Sequence, residues 1–135
     1  MATKREIIAF LASDFPQSKS TVEEVGNRSS VVRRKVGFDD LRPGGSISGP
    51  VLMEVADVAL YVAVLGEIGI VPLAVTTNLN MNFLRKPLPD QDLLGKCKLL
   101  KVGRALVVGE VSIYSDGSQE IVAHAMGTYS IPPSK

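Results

Sequence analysis

The main feature of the hydrophobic pattern is a long apolar run in the middle of the chain. In "RPGGSISGPVLMEVADVALYVAVLGEIG", residues 42–69, a glycine-rich stretch leads into a segment that only Glu54 and Asp57 interrupt before position 67. The spacing predicts one helix over about residues 48–65. Because this helix is apolar on all sides, other elements must cover most of its surface.

Shorter elements flank this helix. "TKREIIAFLASDF" has apolar residues at helical spacing, with Thr3 as a predicted N-cap and Pro16 after its end, and predicts an N-terminal helix. "STVEEVGNRSSVVRRKV" predicts two short strands around the turn "GNR", the second reaching about Val36. After Pro72, short turns between apolar segments predict four strands, and the "DG" at position 116 is a strong hairpin signal.

The first of these four strands, "LAVTTNLNMNFL", alternates in polarity. Leu79 and Met81 are predicted on one face, whereas Thr76 and Asn78 are predicted on the other. A strongly curved antiparallel sheet wrapped around the apolar helix is the economical way to cover that helix. We therefore predict an α+β fold in a single domain spanning residues 1–135.

The charge of the chain narrows the classes of partner. The formal net charge is +1, so the chain has no strong electrostatic field that would attract nucleic acid or a membrane surface. Neither is expected as a partner. The basic cluster at positions 33–35 is interpreted as the solvated face of a strand. The pattern of a secretory signal peptide is absent, and the two acids of the central helix argue against a membrane span. We expect a cytoplasmic protein.

Single cysteine and histidine residues limit the metal chemistry. Cys97 alone excludes an internal disulfide and a cysteine-based metal site, and His124 alone makes a zinc centre improbable. We therefore expect neither a metal nor another cofactor. His124 is interpreted as a strand residue that packs at a sheet or subunit surface, with no acidic partner nearby.

The start of the central helix is built from residues that expose its backbone. Gly44, Gly45 and Gly49 allow the backbone to lie close to another group. Ser48 is a natural N-cap, and Pro50 suits the first helical turn. The free N–H groups there could hold an anion or a polarised carbonyl. No phosphate-binding or dinucleotide fingerprint accompanies them. An ordinary capped helix is the alternative interpretation.

Glu54 and Asp57 are three residues apart and are predicted to share one face of the helix. Asp57 lies about 12 Å along the axis from Gly49, too far for both to act on one carbonyl within one subunit. Two antiparallel copies of the helix across a dimer axis would bring one copy's N-terminus near the other's Asp57. A salt-bridged pair of acids without chemistry is the alternative.

These residues resemble a known family, the hotdog-fold acyl-CoA thioesterases, in particular the phenylacetate-pathway type. That family carries Asn-Pro-x-Gly, then His-Gly-Gly, then an apolar helix with Leu-Ala-Asp. "RPGGSISGPVLMEVAD" matches this pattern without a gap, and "VTTNLNMNFLRKP" and "DGSQEIVAHAMGTYSI" resemble the following strand and the last hairpin. The similarity covers about residues 20–131. It implies a curved antiparallel sheet around one long central helix.

The resemblance also implies a function and a set of site residues. It implies hydrolysis of a small or medium acyl-CoA, aromatic acyl groups included, by a homodimer or homotetramer. Asp57 would be the catalytic carboxylate, the Gly49 N–H the oxyanion donor, and Thr76 a neighbour of the attacking water. The residues predicted to contact the substrate, including its CoA arm, are Arg42, Ser48, Glu54, Arg85, Lys86 and Arg104.

Two other classes compete with a hydrolase. A hotdog hydratase or dehydratase needs a catalytic histidine near an acid, which the isolated His124 does not favour. A non-catalytic module that binds acyl-CoA or an acyl carrier is the second alternative. It stays open because Arg42 and Ser48 stand where the family has Asn and His, and Pro50 replaces the second Gly of the motif.

Overall fold

The computed structural model describes residues 1–133 and contains the predicted helices and strands. In chain order these are α1 (Lys4–Asp14), β1 (Ser20–Gly26), β2 (Ser29–Arg34), a 3-10 helix (Phe38–Asp40), α2 (Gly49–Ile68), β3 (Val75–Phe83), β4 (Leu93–Val102), β5 (Leu106–Ser115) and β6 (Ile121–Ser130). The central helix extends about one turn beyond its predicted end. Strand β2 ends two residues before the predicted Val36. At α1, the predicted Thr3 cap forms a reciprocal capping box with Glu6.

The six strands form one antiparallel sheet in the order β1-β2-β4-β5-β6-β3, and the sheet curves around α2. Three glycines on its inner face set how closely the helix approaches. A Cβ atom at Gly95, Gly109 or Gly127 would lie 2.8, 2.9 or 2.4 Å from Val55 or Leu60 of the helix. Larger side chains at these positions would push α2 away from the sheet. The glycines therefore allow the helix to pack closely against it.

Strand β3 lies at one edge of the sheet and contains a β-bulge. Thr76 pairs with Tyr129 and Asn78 pairs with Thr128, so Thr77 is an extra residue on the β3 side. Tyr129 faces α2, and Thr76 therefore faces α2 as well. The prediction that Thr76 and Asn78 share one face is wrong, because the bulge reverses the alternation between these two positions.

Of the basic cluster at positions 33–35, only Lys35 is exposed, and the two arginines on β2 are not a solvated face. Arg34 is 3% exposed, and its guanidinium donates two hydrogen bonds of 2.9 and 3.0 Å to the Asp40 carboxylate. It also lies 3.4 Å from the carboxylate of Glu54. Arg33 is half-buried and bonds three other carboxylates. The solvated interpretation fails because these arginines cross-link loops to the sheet, which the local pattern does not reveal.

The buried pair leads to a prediction about stability. Asp40→Asn is expected to lower the free energy of unfolding by about 3–5 kcal/mol, because it leaves the Arg34 charge buried without its main partner. The hydrogen bonds from Arg34 hold the pKa of the Asp40 carboxyl below its ordinary value. The stabilisation should therefore be complete above about pH 4 and be lost as the pH falls through that lowered pKa.

Urea unfolding at neutral pH and at pH 3 measures this effect. Glu54→Gln is the matched control, since it removes the half-exposed partner of the same arginine and should cost about 1 kcal/mol or less. Equal losses in the two variants at neutral pH would contradict the assignment of Asp40 as the main partner of Arg34.

Candidate active site

The carboxylate of Asp57 projects from α2 toward β6 and toward the edge strand β3. Its Oδ1 accepts a hydrogen bond from Tyr129 Oη at 2.8 Å and another from Thr76 Oγ1. Among residues 1–133, Oδ2 accepts none. The side chain is half-buried, so one oxygen is held by hydroxyl groups and the other is left for a ligand or water.

A cavity of about 350 Å³ opens beside this carboxylate. Four aromatic rings line it, from Phe10, Phe15, Tyr61 and Tyr129, together with the polar groups of Asp57 and Thr76. The rings of Tyr61 and Tyr129 stack with centroids 5.9 Å apart, and Phe10 is tilted against Tyr61 at 6.3 Å. A second carboxylate, that of Asp14, also lines the cavity. An apolar wall around a few polar groups is typical of a small-molecule site.

Tyr129 is the site residue that the sequence analysis missed. It is 3% exposed, and its hydroxyl also lies 3.1 Å from the main-chain oxygen of Asp57. Burial, followed by the nearby Asp57 charge, raises the pKa of Tyr129, so this residue is a neutral donor. The only sequence signal for it was the alternation of β6, which marks position 129 as inward-facing but names no partner.

Gly49 lies in a different cavity, at the start of α2. This cavity has a volume of about 580 Å³ and is also lined by Arg42, Arg85 and Lys86. The Phe83 ring packs over Gly49, where an added Cβ would lie 3.4 Å from Cζ. N–H groups in a first helical turn have no partner within the helix, so this end of α2 can stabilise an oxyanion.

The structure thus separates the predicted site residues into groups. Asp57 and Thr76 share one cavity, and Arg42, Gly49, Arg85 and Lys86 share another. Arg104 lines a third cavity with Ile68 and Ile131, so one chain does not bring it to Arg85 and Lys86. Arg85 forms an ion pair with Glu120.

The other two predicted contacts, Glu54 and Ser48, have local structural roles. Glu54 pairs with Arg34 of β2, whereas Asp57 bonds to β3 and β6, so the two acids do not converge. Ser48 occupies the predicted N-cap position of α2, but its side chain makes no capping hydrogen bond. Its N–H donates to the Asp40 main-chain oxygen at 2.9 Å.

His124 lies at the sheet surface, as predicted, but it has an acidic partner that the sequence analysis did not find. Its Nε2 lies 2.9 Å from Glu110 Oε1 on the neighbouring strand. Both residues occupy outward-facing positions of the sheet, on the face opposite to Asp57. The pair is therefore remote from the carboxylate cavity.

Across residues 1–133, no group of three or more His, Cys, Asp or Glu side chains is arranged to hold a metal ion. None of the helices in that range is both long enough and apolar enough to span a membrane.

Comparison with known proteins identifies the class. The sequence profile of the thioesterase superfamily matches residues 44–122. A candidate thioesterase from Silicibacter sp. TM1040 is 41% identical, with a TM-score of 0.89 over 97% of this chain and 92% of that chain. The chain therefore belongs to the thioesterase superfamily. None of the curated proteins searched matches it.

More distant structures agree in fold. Zebra fish thioesterase superfamily member 2 is 20% identical, with a TM-score of 0.84 over 98% of this chain and 100% of that one. The E. coli PaaI protein from the phenylacetic acid degradation operon is 21% identical, with a TM-score of 0.77 over 94% and 97%. These similarities confirm the predicted hotdog fold, a curved antiparallel sheet around a long helix.

Proposed function

We propose that the protein is an acyl-CoA thioesterase of the phenylacetate-pathway type, acting on small or medium acyl groups, including aromatic ones. The supporting observation is the Asp57 carboxylate, which two hydroxyl groups orient at the wall of an aromatic cavity in a member of the thioesterase superfamily. Aromatic walls of this kind favour planar apolar acyl groups.

The active site is proposed to form between two subunits. Strand β3 is a free edge whose Thr76 end borders the Asp57 cavity and whose Phe83 end borders the Gly49 cavity. A two-fold axis at Leu79, the middle of β3, would pair these opposite ends and place the partner's Gly49 near Asp57. The pairing also removes an exposed edge on which Val75 and Phe83 are each 53% exposed. Two such dimers would form the proposed tetramer.

The chemistry follows from this arrangement. Asp57 accepts a proton from a water molecule as the water oxygen attacks the thioester carbonyl carbon. The developing oxyanion is stabilised by the N–H of the partner's Gly49. Collapse of the intermediate breaks the carbon–sulfur bond, and the CoA sulfur leaves as a thiol with the proton that Asp57 gives up, which regenerates the carboxylate. The products are a carboxylic acid and CoA. Direct attack by the carboxylate on the carbonyl carbon is the variant of this scheme that the same geometry allows.

The second cavity is proposed to hold part of the CoA arm. Arg42, Arg85 and Lys86 line it, and guanidinium and ammonium groups bind phosphate oxygens. Arg104 could contribute only from another subunit, because its own cavity lies elsewhere in the chain.

A panel of acyl-CoA thioesters tests the proposal. We expect release of free CoA thiol from short, medium and phenyl-substituted acyl-CoA, with kcat/KM falling for long straight chains that exceed the cavity. Binding of several acyl-CoA compounds without turnover would instead support the non-catalytic module. If the protein neither binds nor hydrolyses any compound of the panel, both the hydrolase and the binding module are contradicted.

A further inference from the structure

We infer that Tyr129 is a positioning residue that fixes the Asp57 carboxylate so that a single oxygen, Oδ2, faces the reaction. This role rests on the proposed function for its effect on rate, but the contact itself is a property of the folded chain. The contact that carries this role is the hydrogen bond from the Tyr129 hydroxyl to Asp57 Oδ1.

The first support is the way both donors converge on one atom. Tyr129 Oη lies 2.8 Å from Asp57 Oδ1, and Thr76 Oγ1 donates to the same oxygen. A carboxylate held at one oxygen by two hydroxyl groups cannot rotate freely. The hydrogen bonds also withdraw electron density from Oδ1, so Oδ2 becomes the oxygen that accepts a proton or attacks a carbonyl.

The second support is that the fold holds Tyr129 rigidly. Its ring stacks on Tyr61, its strand pairs on both sides, with Val107 and Thr76, and its hydroxyl also approaches the main-chain oxygen of Asp57 at 3.1 Å. The same hydroxyl therefore contacts the helix backbone and the carboxylate. A donor that cannot move away holds its acceptor in one orientation, which is what preorganisation of a general base requires.

The β-bulge at Thr77 completes the arrangement. Without the extra residue, Thr76 would point away from α2, and only Tyr129 would reach Asp57. The bulge thus pairs a threonine and a tyrosine on the inner face of the sheet, opposite one helical carboxylate. Bulges commonly re-aim a side chain beside an active site.

Tyr129→Phe tests the role, because it keeps the stacked ring and removes only the hydroxyl. We expect kcat on the best acyl-CoA substrate to fall about 10- to 100-fold with KM nearly unchanged, the size expected for losing a hydrogen bond to a charged group. The carbon-13 resonance of the Asp57 carboxyl should shift at neutral pH, since the carboxylate loses a hydrogen-bond donor.

Tyr61→Phe is the matched control. It removes a hydroxyl from the same stack, but that hydroxyl donates to the Pro72 main-chain oxygen at 3.1 Å and not to Asp57. The Asp57 carboxyl resonance should keep its parental position in this variant. A purely structural role for Tyr129 would instead predict equal losses in thermal stability for both variants, with that resonance unmoved in each.

A measurement without turnover separates this inference from the proposed function. The carbon-13 resonance of the Asp57 carboxyl, assigned with Asp57→Asn, can be recorded at neutral pH in the parent and in both variants without substrate. A shift in Tyr129→Phe alone would support the inference even if the parent hydrolyses no acyl-CoA. An unchanged resonance in Tyr129→Phe, or an unchanged kcat in an active parent, would overturn it.

Discussion

Asp57→Asn is expected to lower kcat/KM for acyl-CoA hydrolysis by about 10²–10⁴-fold, the usual contribution of a positioned general base. Asparagine keeps the shape of the side chain and can still accept hydrogen bonds from Thr76 and Tyr129. It can neither take a proton from water nor attack the thioester carbonyl. Release of free CoA thiol, measured beside circular dichroism and light scattering, tests this in folded and correctly assembled protein.

Glu54→Gln provides the comparison for this experiment. The two acids occupy the same helix three residues apart, but Glu54 pairs with Arg34 at the far side of the sheet. Its replacement should therefore alter turnover by less than about threefold, a change of under 1 kcal/mol. Loss of turnover in Glu54→Gln with retention in Asp57→Asn would show that Glu54 is the catalytic carboxylate.

Gly49→Pro is expected to lower kcat by about 10²–10³-fold by deleting the oxyanion donor. Proline suits the first turn of a helix, and Ser48 before it is already extended, with φ −72° and ψ 150°. Gly49→Ala is the matched control, because it adds a similar contact with Phe83 but keeps the N–H. Equal activity of the two variants would exclude this N–H from the reaction.

Mixing the two inactive variants tests whether the site is shared between subunits. In a dimer that joins Asp57 of one chain to the partner's Gly49, a mixed pair of Asp57→Asn and Gly49→Pro chains contains one intact site. Random re-pairing should then restore about a quarter of the parental turnover, since half of the dimers are mixed. No recovery in a mixture shown by native mass spectrometry to contain mixed dimers would place both groups within one chain.

Local patterns in the sequence were sufficient for the elements of the fold. The all-apolar helix, the N-terminal capping box and the strands after Pro72 depend on periodicity and on neighbours within four residues. Asp57 was likewise visible as an ionised group within an apolar helix, where its presence requires a reason, although Glu54 carried the same signal. Its role as the catalytic carboxylate remains a prediction.

What surrounds Asp57 depended on strand pairing. The bulge at Thr77 turns Thr76 inward, and the β6 register places Tyr129 beside it. Neither position carries a distinctive motif, and residues 57 and 129 are brought together only by the curvature of the whole sheet. The same is true of Arg34 and Asp40, whose mutual burial a run of basic residues does not reveal.

The sequence by itself determined the kind of elements, their order and the two chemically distinctive positions on the central helix, Gly49 and Asp57. These follow from backbone propensity and hydrophobic spacing, which act over a few residues. The tertiary structure alone decided that the two acids of α2 have different partners, and which oxygen of Asp57 is held by hydroxyl groups. Those outcomes depend on register, on a single inserted strand residue and on long-range packing, and a shift of one residue in pairing would reverse them.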